Sequence, residues 1–398
     1  MKKLFPLFLC LSISVVSYMA PSRKNMWPAD FYNTNKWCAG PKTQRPTLPL
    51  KRDPITQLFK ISDSDELQQA VDAGQLDQIE AIRCYSPLLK SMLAADLLEH
   101  VSNLSHLKSA QIAIAYNDGF GNLLQALADH CAETLVVLNF ELGALEETPE
   151  KILLVAKLLP QFKNLEELDL SYALSSGQNA SKKLSNIWFA QAVTSLKGLK
   201  KLVLTGTHIH ENIHFYITLA QNFHMLESLT DLKIHLARTF LPAGFVSPEL
   251  IASLGNALAH SNLTTLDLNC SKLGEDPARL HIIASSLAQM RRLEKLEIIS
   301  IELEECTLDE LKHFFDCLSK IKTLKVLIMD NANIAKIPGA DHVLCQALAQ
   351  LPNLEVFSCQ LSLGKEWSSA QVNMITNALP PKCNYYLVWF RNSCNLCY

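Results

Sequence analysis

Residues Leu165 to Leu170 read LEELDL, and this apolar spacing, L-x-x-L-x-L, returns along most of the chain. Six further copies are clear, and their last apolar positions follow residue 170 at 204, 234, 268, 298, 329 and 359. The steps between them are 34, 30, 34, 30, 31 and 30 residues. Weaker copies continue the phase on both sides: Ile79…Ile82…Cys84, Ser109…Ile112…Ile114, Leu135…Leu138…Phe140 and Asn384…Leu387…Trp389. The sequence therefore predicts a repeat architecture of about 11 units of 26–34 residues.

The spacing within each unit predicts a short strand. In L-x-x-L-x-L the apolar residues point into a core and the intervening residues point out, and so short a stretch suits a strand. Segments with helical apolar spacing lie between the units, such as Leu250 to Leu258 behind Ser247 and Pro248, which suit an N-cap and a first turn. Since one unit cannot bury its own apolar face, neighbours must stack. The prediction is an α/β solenoid.

The units resemble those of leucine-rich-repeat proteins, and their long form with a full helix is similar to the ribonuclease-inhibitor-like subclass. The best match is the stretch from Leu263 to Gly274, LTTLDLNCSKLG, and the resemblance covers about residues 76–392. It implies a curved horseshoe with a parallel sheet on the concave face and helices on the convex face. The chain departs from the family where Asn or Cys usually follows the strand, because it has Gly143, Ala173, Thr207, Ala237, Ser271, Ile301, Ala332 and Ser362 there.

The N-terminal residues differ from the repeats. A basic start, Met1-Lys2-Lys3, precedes about 13 mostly apolar residues that end at Val16, as in a secretory signal peptide. We predict a signal peptide at residues 1–20, with a retained membrane anchor or an uncleaved cytoplasmic N-terminus as alternatives. Residues 21–62 are rich in proline and are predicted to form an arm or linker. We predict that residues 63–392 form the repeat domain, which begins with a helical cap, and that residues 393–398 form a Cys-containing tail.

The twelve cysteines do not resemble a secreted disulfide framework. Several occupy apolar repeat positions, where a free cysteine behaves as a small hydrophobe: Cys84, Cys131, Cys317, Cys345 and Cys359. Only the C-terminal group has a spacing that suits pairing: Cys383, Cys394 and Cys397. An export signal combined with unpaired thiols favours a protein secreted into a reducing compartment, such as an effector delivered into a host cell cytoplasm.

Few residues point to catalysis. His208, His210 and His214 could share a metal ion if the chain folded back, and a metal-binding protein or enzyme based on them is the alternative to a binding role. His235, Asp267 and Cys270 lie on neighbouring strands but lack a recognisable oxyanion site. We therefore predict no enzymatic activity, no cofactor and no metal. The net charge of −3 gives no basis for nucleic-acid binding.

The residues between the strand leucines form columns across the predicted sheet. The fourth to eighth units carry mostly charged residues there, with more acids than lysines, and the last three units carry apolar and aromatic ones. The predicted partner-binding residues are Glu167, Asp169, Tyr172, Asp231, His235, Asp267, Glu297, Val326, Val356, Tyr386 and Phe390. As an alternative to a role in binding, the apolar residues of the last three units could be buried beneath the C-terminal tail. We predict a scaffold that binds a protein partner on this face; the alternative is a cytosolic adaptor that recruits one through residues 21–76.

Overall fold

The structure is a computed structural model of the 398-residue chain. It describes residues 60–61, 64–84, 97–112, 119–140, 149–171, 180–205, 212–235, 247–269, 274, 276–299, 303–330, 334–360 and 367–387. The predicted signal peptide, nearly all of the predicted arm and the predicted Cys-containing tail lie outside these residues.

The described strands form one parallel sheet whose strand order follows the sequence. Their bounds are β1 Lys60–Ile61, β2 Ala81–Cys84, β3 Ser109–Ile112, β4 Val137–Phe140, β5 Glu167–Asp169, β6 Lys201–Leu204, β7 Asp231–His235, β8 Thr265–Asn269, β9 Lys295–Ile299, β10 Val326–Asp330, β11 Val356–Gln360 and β12 Asn384–Tyr386. Each predicted repeat unit overlaps one of the strands β2 to β12. An additional strand, β1, lies at the end of the segment predicted as an arm and pairs with β2.

Helices connect most of these strands. Their bounds are α1 Ser64–Asp72, α2 Gly119–Cys131, α3 Pro149–Leu158, α4 Ala180–Thr194, α5 Ile213–Gln221, α6 Pro248–Ala259, α7 Pro277–Leu287, α8 Leu308–Leu318, α9 Ala340–Leu348 and α10 Ser369–Ala378. Consecutive helices from α2 to α10 pack against each other, so the units stack as predicted. None of the helices in the described residues is long and apolar enough to cross a bilayer.

Local chemistry fixes where several helices begin. The Ser247 side chain accepts a hydrogen bond from the Glu249 amide at 3.2 Å, and Pro248 occupies the first turn, as predicted for α6. Helix α8 begins with a reciprocal capping box, in which the Thr307 hydroxyl accepts from the Glu310 amide and the Glu310 carboxylate accepts from the Thr307 amide. These caps satisfy amide groups that have no partner within the helix.

The core lies between the sheet and the helices. The strand leucines and the inward side chains of the helices form one continuous cluster of buried residues. In the central strands, Leu168, Leu202, Leu232, Leu266 and Leu296 are at most 1% exposed. The alternate strand residues are mostly half-buried and face away from the helices.

The register corrects two of the predicted units. In β3, Ser109 pairs with Ala81 and Gln111 pairs with Arg83, so the unit is Leu107…Ala110…Ile112, two residues earlier than predicted. All three of these apolar side chains are fully buried, and this burial selects the observed phase.

The last unit is displaced by two residues as well. Asn384 pairs with Val356, and Tyr386 pairs with Ser358 rather than with Val356. Tyr385 takes the core-facing position beside Phe357, yet it is 50% exposed, whereas Phe357 is fully buried.

Gly255 lies at a close contact between α6 and α7. A Cβ atom on Gly255 would lie 2.7 Å from Ile282 Cγ2 and 2.8 Å from Ser286 Oγ. Alanine normally stabilises a helix interior relative to glycine, but overpacking typically costs about 1–3 kcal/mol. We expect Gly255→Ala to lower the free energy of unfolding in urea by about 1–2 kcal/mol, while Ser253→Ala on the same helix changes it by less than about 0.5 kcal/mol. A more stable Gly255→Ala variant would contradict this packing.

Candidate binding face

The side of the sheet that points away from the helices is here called the open face. The register places two columns of side chains across it. The first column contains Ala81, Ser109, Val137, Glu167, Lys201, Asp231, Thr265, Lys295, Val326, Val356 and Asn384. The second column contains Arg83, Gln111, Asn139, Asp169, Val203, Lys233, Asp267, Glu297, Ile328, Ser358 and Tyr386.

Ion pairs neutralise most of the central acids on the open face. Lys201 Nζ lies 3.1 Å from Glu167 Oε2 across two strands, and Lys295 Nζ lies 2.7 Å from Glu297 Oε1 on the same strand. Lys233 Nζ lies 2.7 Å from Asp267 Oδ2. The sequence predicted a mixed charged zone in which acids outnumber lysines, and the open face carries five acids and three lysines there. The contacts arrange them as a mosaic of paired and unpaired charges. Each half-exposed pair stabilises the fold by no more than about 1 kcal/mol.

Asp267 is the centre of the most buried polar cluster on this face. The residue is 7% exposed, and its carboxylate contacts Lys233 at 2.7 Å and His235 Nε2 at 3.2 Å. Burial alone would raise the pKa of Asp267. Hydrogen bonds from His235 and Lys233, together with their charges, outweigh burial, and the pKa of this carboxyl group lies below its ordinary value. The predicted proximity of His235 and Asp267 is confirmed, whereas Cys270 lies outside the described residues.

Asp231 has the opposite environment. Burial raises the pKa of Asp231, the charges of Lys201 and Lys295 oppose that rise, and Glu167 and Asp267 add to it. No ion pair or hydrogen bond to its carboxylate occurs among the described residues. Asp169 also has no ion pair among the described residues, but its carboxylate accepts hydrogen bonds from Asn139 and from the Ser171 amide. The carboxylate of Asp231 has neither kind of contact there, so a basic group from a partner could still pair with it.

The two aspartates give a matched test of these environments. We expect Asp267→Asn to lower the free energy of unfolding at pH 7 by about 1–3 kcal/mol, because it removes charge-assisted hydrogen bonds. Asp231→Asn, one strand away, should leave stability unchanged or raise it, because the ionised form of Asp231 is disfavoured in the folded state. Urea unfolding of both variants measures the difference.

The pH dependence provides a second readout. Because the pKa of Asp267 is lowered by folding, its contribution is complete above the pKa of an unfolded aspartate, about 3.9. The contribution is lost as the pH falls through the folded pKa. The deficit of Asp267→Asn should therefore shrink on acidification. A deficit that stays constant down to pH 2 would contradict this assignment.

The comparisons with known proteins identify no relative by sequence: no family model and no curated protein matches. Among solved structures, the chain is similar to one described as "Crystal structure of TLR13-ssRNA13 complex", with 14% identity and a TM-score of 0.36. The match covers 78% of this chain and 32% of that chain, so this chain spans about a third of the length of that structure.

The repeat and the sheet assign the fold directly. Each L-x-x-L-x-L unit supplies one strand of a single parallel sheet, and the helices stack between units. The chain folds as a leucine-rich-repeat solenoid.

The C-terminal units of the solenoid change the character of the open face. Val326 pairs with Val356 in the first column, and Ile328 follows in the second. These three side chains are half-buried, and Tyr386, in the second column beyond Ser358, is 55% exposed. We call Val326, Ile328, Val356 and Tyr386 the apolar strip. Of the other predicted partner-binding residues, Tyr172 and Phe390 lie outside the described residues.

The residues considered for metal binding are only partly described. His214 lies on α5, and its pKa is lowered by burial and by the positive charge of Lys183, although Glu249 opposes this. His208, His210, Cys394 and Cys397 lie outside the described residues. Within the described part of the solenoid, no group of three or more His, Cys, Asp or Glu side chains has an arrangement that could hold a metal ion.

Sequence reasoning missed several polar features of the solenoid. The amide oxygens of Asn139 and Asn269 are buried on the open face and have no hydrogen-bond partner among the described residues. Ser171 and Thr205, which end neighbouring units, share a hydroxyl hydrogen bond of 2.6 Å. Neither feature has a sequence signature, because each depends on which side chains the register brings together.

Proposed function

We propose that this protein is a non-enzymatic scaffold that binds another protein on the open face, with the apolar strip at the centre of the contact. The supporting observation is that Val326, Ile328 and Val356 keep part of their surface in water on a sheet face, with an exposed Tyr386 beside them. Contiguous exposed apolar surface usually marks an interaction site. Tyrosine is also among the residues that most often dominate binding energy.

The polar mosaic beside the strip would orient the partner. Asp231 lacks an ion pair among the described residues, so an arginine or lysine of the partner can bind it without displacing an existing contact. The lysines of the central open face, by contrast, already contact carboxylates. This pairing favours a protein over a nucleic acid, which requires a face of free cations.

The test is site-specific photocrosslinking in the full-length protein. A photoreactive residue at position 356 should give an adduct with a distinct partner, and the same residue at Ala252, exposed on α6, should not. Val356→Asp should weaken binding of the recovered partner at least about tenfold, which corresponds to about 1.4 kcal/mol. Equal crosslinking from positions 252 and 356, or full binding by Val356→Asp, would contradict the proposal.

We further propose that the protein acts after export, as a secreted factor that works in a reducing compartment such as a host cell cytoplasm. The pattern of residues 1–20 and the free thiols of Cys131, Cys306, Cys317, Cys345 and Cys383 support this proposal. Intact mass of the protein from its natural destination, with and without reductant, tests it. Loss of about 20 N-terminal residues with free thiols is expected, and an intact N-terminus would contradict cleavage.

A further inference from the structure

A second exposed apolar surface lies on the helices, on the opposite side of the sheet from the open face. Leu184 is 58% exposed and Trp188 is 55% exposed on α4, and Leu153 is 38% exposed on α3. Leu184 and Trp188 are four residues apart and share one face of the helix. Helix α3 packs directly against α4. We call these three residues the helix-side patch.

The fold does not require this patch. The core-facing side of α4 is supplied by Phe189, Ala190 and Val193, all of which are fully buried. The hydrophobic effect would disfavour an exposed leucine and tryptophan at adjacent turns unless something covers them. Half of the large hydrophobic side chains that are exposed among the described residues belong to the patch, the others being Leu308, Tyr385 and Tyr386.

The surroundings of the patch are basic in a chain that is acidic overall. Among the side chains of helices α3, α4 and α5 that the structure describes are three lysines and a single acid, Glu150, which gives a formal charge of 3 − 1 = +2, compared with −3 for the whole chain. The three are Lys151, Lys157 and Lys183. Lys183 directly precedes Leu184, and its charge contributes to the lowered pKa of His214 on the neighbouring helix.

Two of these lysines have no partner carboxylate. Lys157 follows Leu153 by one helical turn, and neither Lys157 nor Lys183 forms an ion pair among the described residues. Many lysines elsewhere in the repeats do find one: Lys108, Lys163, Lys200 and Lys325 each contact a glutamate of the preceding unit at 2.6–2.9 Å. Exposed apolar side chains, flanked by lysines without an ion pair among the described residues, complement an amphipathic segment in polarity and in charge. Such a segment has apolar residues on one side and acidic residues bordering them.

We propose that the helix-side patch is a second docking surface and that its occupant is an acidic amphipathic helix of another protein. Trp188 would be the main anchor, because a single tryptophan often carries much of the energy of such an interface. Lys157 and Lys183 would pair with acids that flank the apolar stripe of the occupant. The solenoid would then hold two proteins, one on each side of the sheet.

The chemistry of α4 favours a protein occupant over a lipid surface. A helix that lies in a membrane interface presents a broad, continuous apolar face. On α4 the large exposed apolar residues are confined to Leu184 and Trp188, because the other large apolar side chains of the helix are half-buried or buried. Two side chains and a neighbouring leucine suit the narrow apolar stripe of one partner helix.

The test uses the full-length protein and a labelled synthetic peptide of about 18 residues, with leucines at helical i, i+3, i+4, i+7 spacing and Glu at the remaining positions. Fluorescence anisotropy should show binding in the micromolar range. Trp188→Ala should weaken it at least about tenfold, and Lys183→Glu should weaken it and reduce its dependence on salt. Leu308→Ala, which removes a leucine that is 41% exposed on α8, is the matched control and should bind normally.

Several outcomes would overturn the proposal. Equally tight binding of a scrambled peptide of the same composition, or of one with Lys in place of Glu, would remove the basis for an acidic helix. Binding to vesicles containing about 30% phosphatidylserine, without binding to the peptide, would assign the patch to a membrane. Self-association that Trp188→Ala abolishes would assign it to a second copy of the chain. Trp188 and Lys183 are both exposed, so their replacement should leave the fold intact. The circular dichroism spectrum of each variant must therefore match that of the parent protein.

Discussion

Phe189→Ala is expected to lower the free energy of unfolding by about 3–5 kcal/mol, the usual cost of removing a buried phenylalanine side chain. Phe189 is fully buried on α4, and its ring centroid lies 5.4 Å from that of Phe215 on α5. The substitution therefore removes apolar contacts inside one unit and an aromatic pair that links two units. Urea unfolding followed by circular dichroism measures the loss.

The adjacent residue provides the control for this prediction. Trp188 is larger than Phe189 but is 55% exposed, so Trp188→Ala should change the free energy of unfolding by less than about 1 kcal/mol. The two variants together separate folding from binding, because Trp188→Ala should lose the acidic peptide while the fold is retained. Similar destabilisation by both variants would show that the outward face of α4 contributes to the core.

The repeat architecture determines how far such damage spreads. Each helix packs mainly against its two neighbours in sequence, and the stability of such arrays is approximately a sum of unit and nearest-neighbour terms. Loss of the Phe189–Phe215 contact weakens the coupling between α4 and α5. In the Phe189→Ala variant, we therefore expect the units around residues 149–235 to unfold before the C-terminal units do.

Strong periodicity made most of the fold predictable from the sequence. Units such as LEELDL at Leu165 and LTTLDL at Leu263 indicate both the presence of a strand and its phase, because large apolar residues occupy every core position. The degenerate units were predicted with the wrong phase. The predicted phase places Ser109, Ile112 and Ile114 at the core positions, although Ser109 is polar. The observed phase places Leu107, Ala110 and Ile112 there, and all three are buried. The strand β1 has two residues and is too short to give a periodic signal.

The candidate sites were less predictable than the fold. The sequence correctly placed Asp231, Asp267 and Glu297 on the open face, but it could not show that Lys233 and Lys295 neutralise two of them, because ion pairs depend on side-chain reach across the register. The helix-side patch was missed for a similar reason. Residues 184–193 of α4 include apolar residues on several faces of the helix, so spacing alone did not show that Trp188 points outward while Phe189 points inward.

Three cysteines of the solenoid, Cys131, Cys306 and Cys345, should react slowly in the folded protein. Burial raises the pKa values of Cys131, Cys306 and Cys345 from 9.0 to about 11, with nearby acids adding to the rise at Cys306 and Cys345. The thiolate is the reactive form, and a rise of about two pKa units lowers its fraction near neutral pH about 100-fold. We expect iodoacetamide at pH 8 to alkylate Cys345 at least about 100-fold more slowly in the native protein than after denaturation.

Peptide mass spectrometry of timed alkylation reactions measures these rates site by site. Cys345 is the most informative position, because it is only partly buried, so slow labelling there reports on thiol ionisation as well as on access. Rapid labelling of native Cys345, or disulfide-linked peptides that contain Cys131, Cys306 or Cys345 in a non-reduced digest, would contradict the prediction. The expected result also bears on export. Thiols that stay protonated inside a folded solenoid would resist oxidation in transit, so an export signal and a cysteine-rich core would no longer be in conflict.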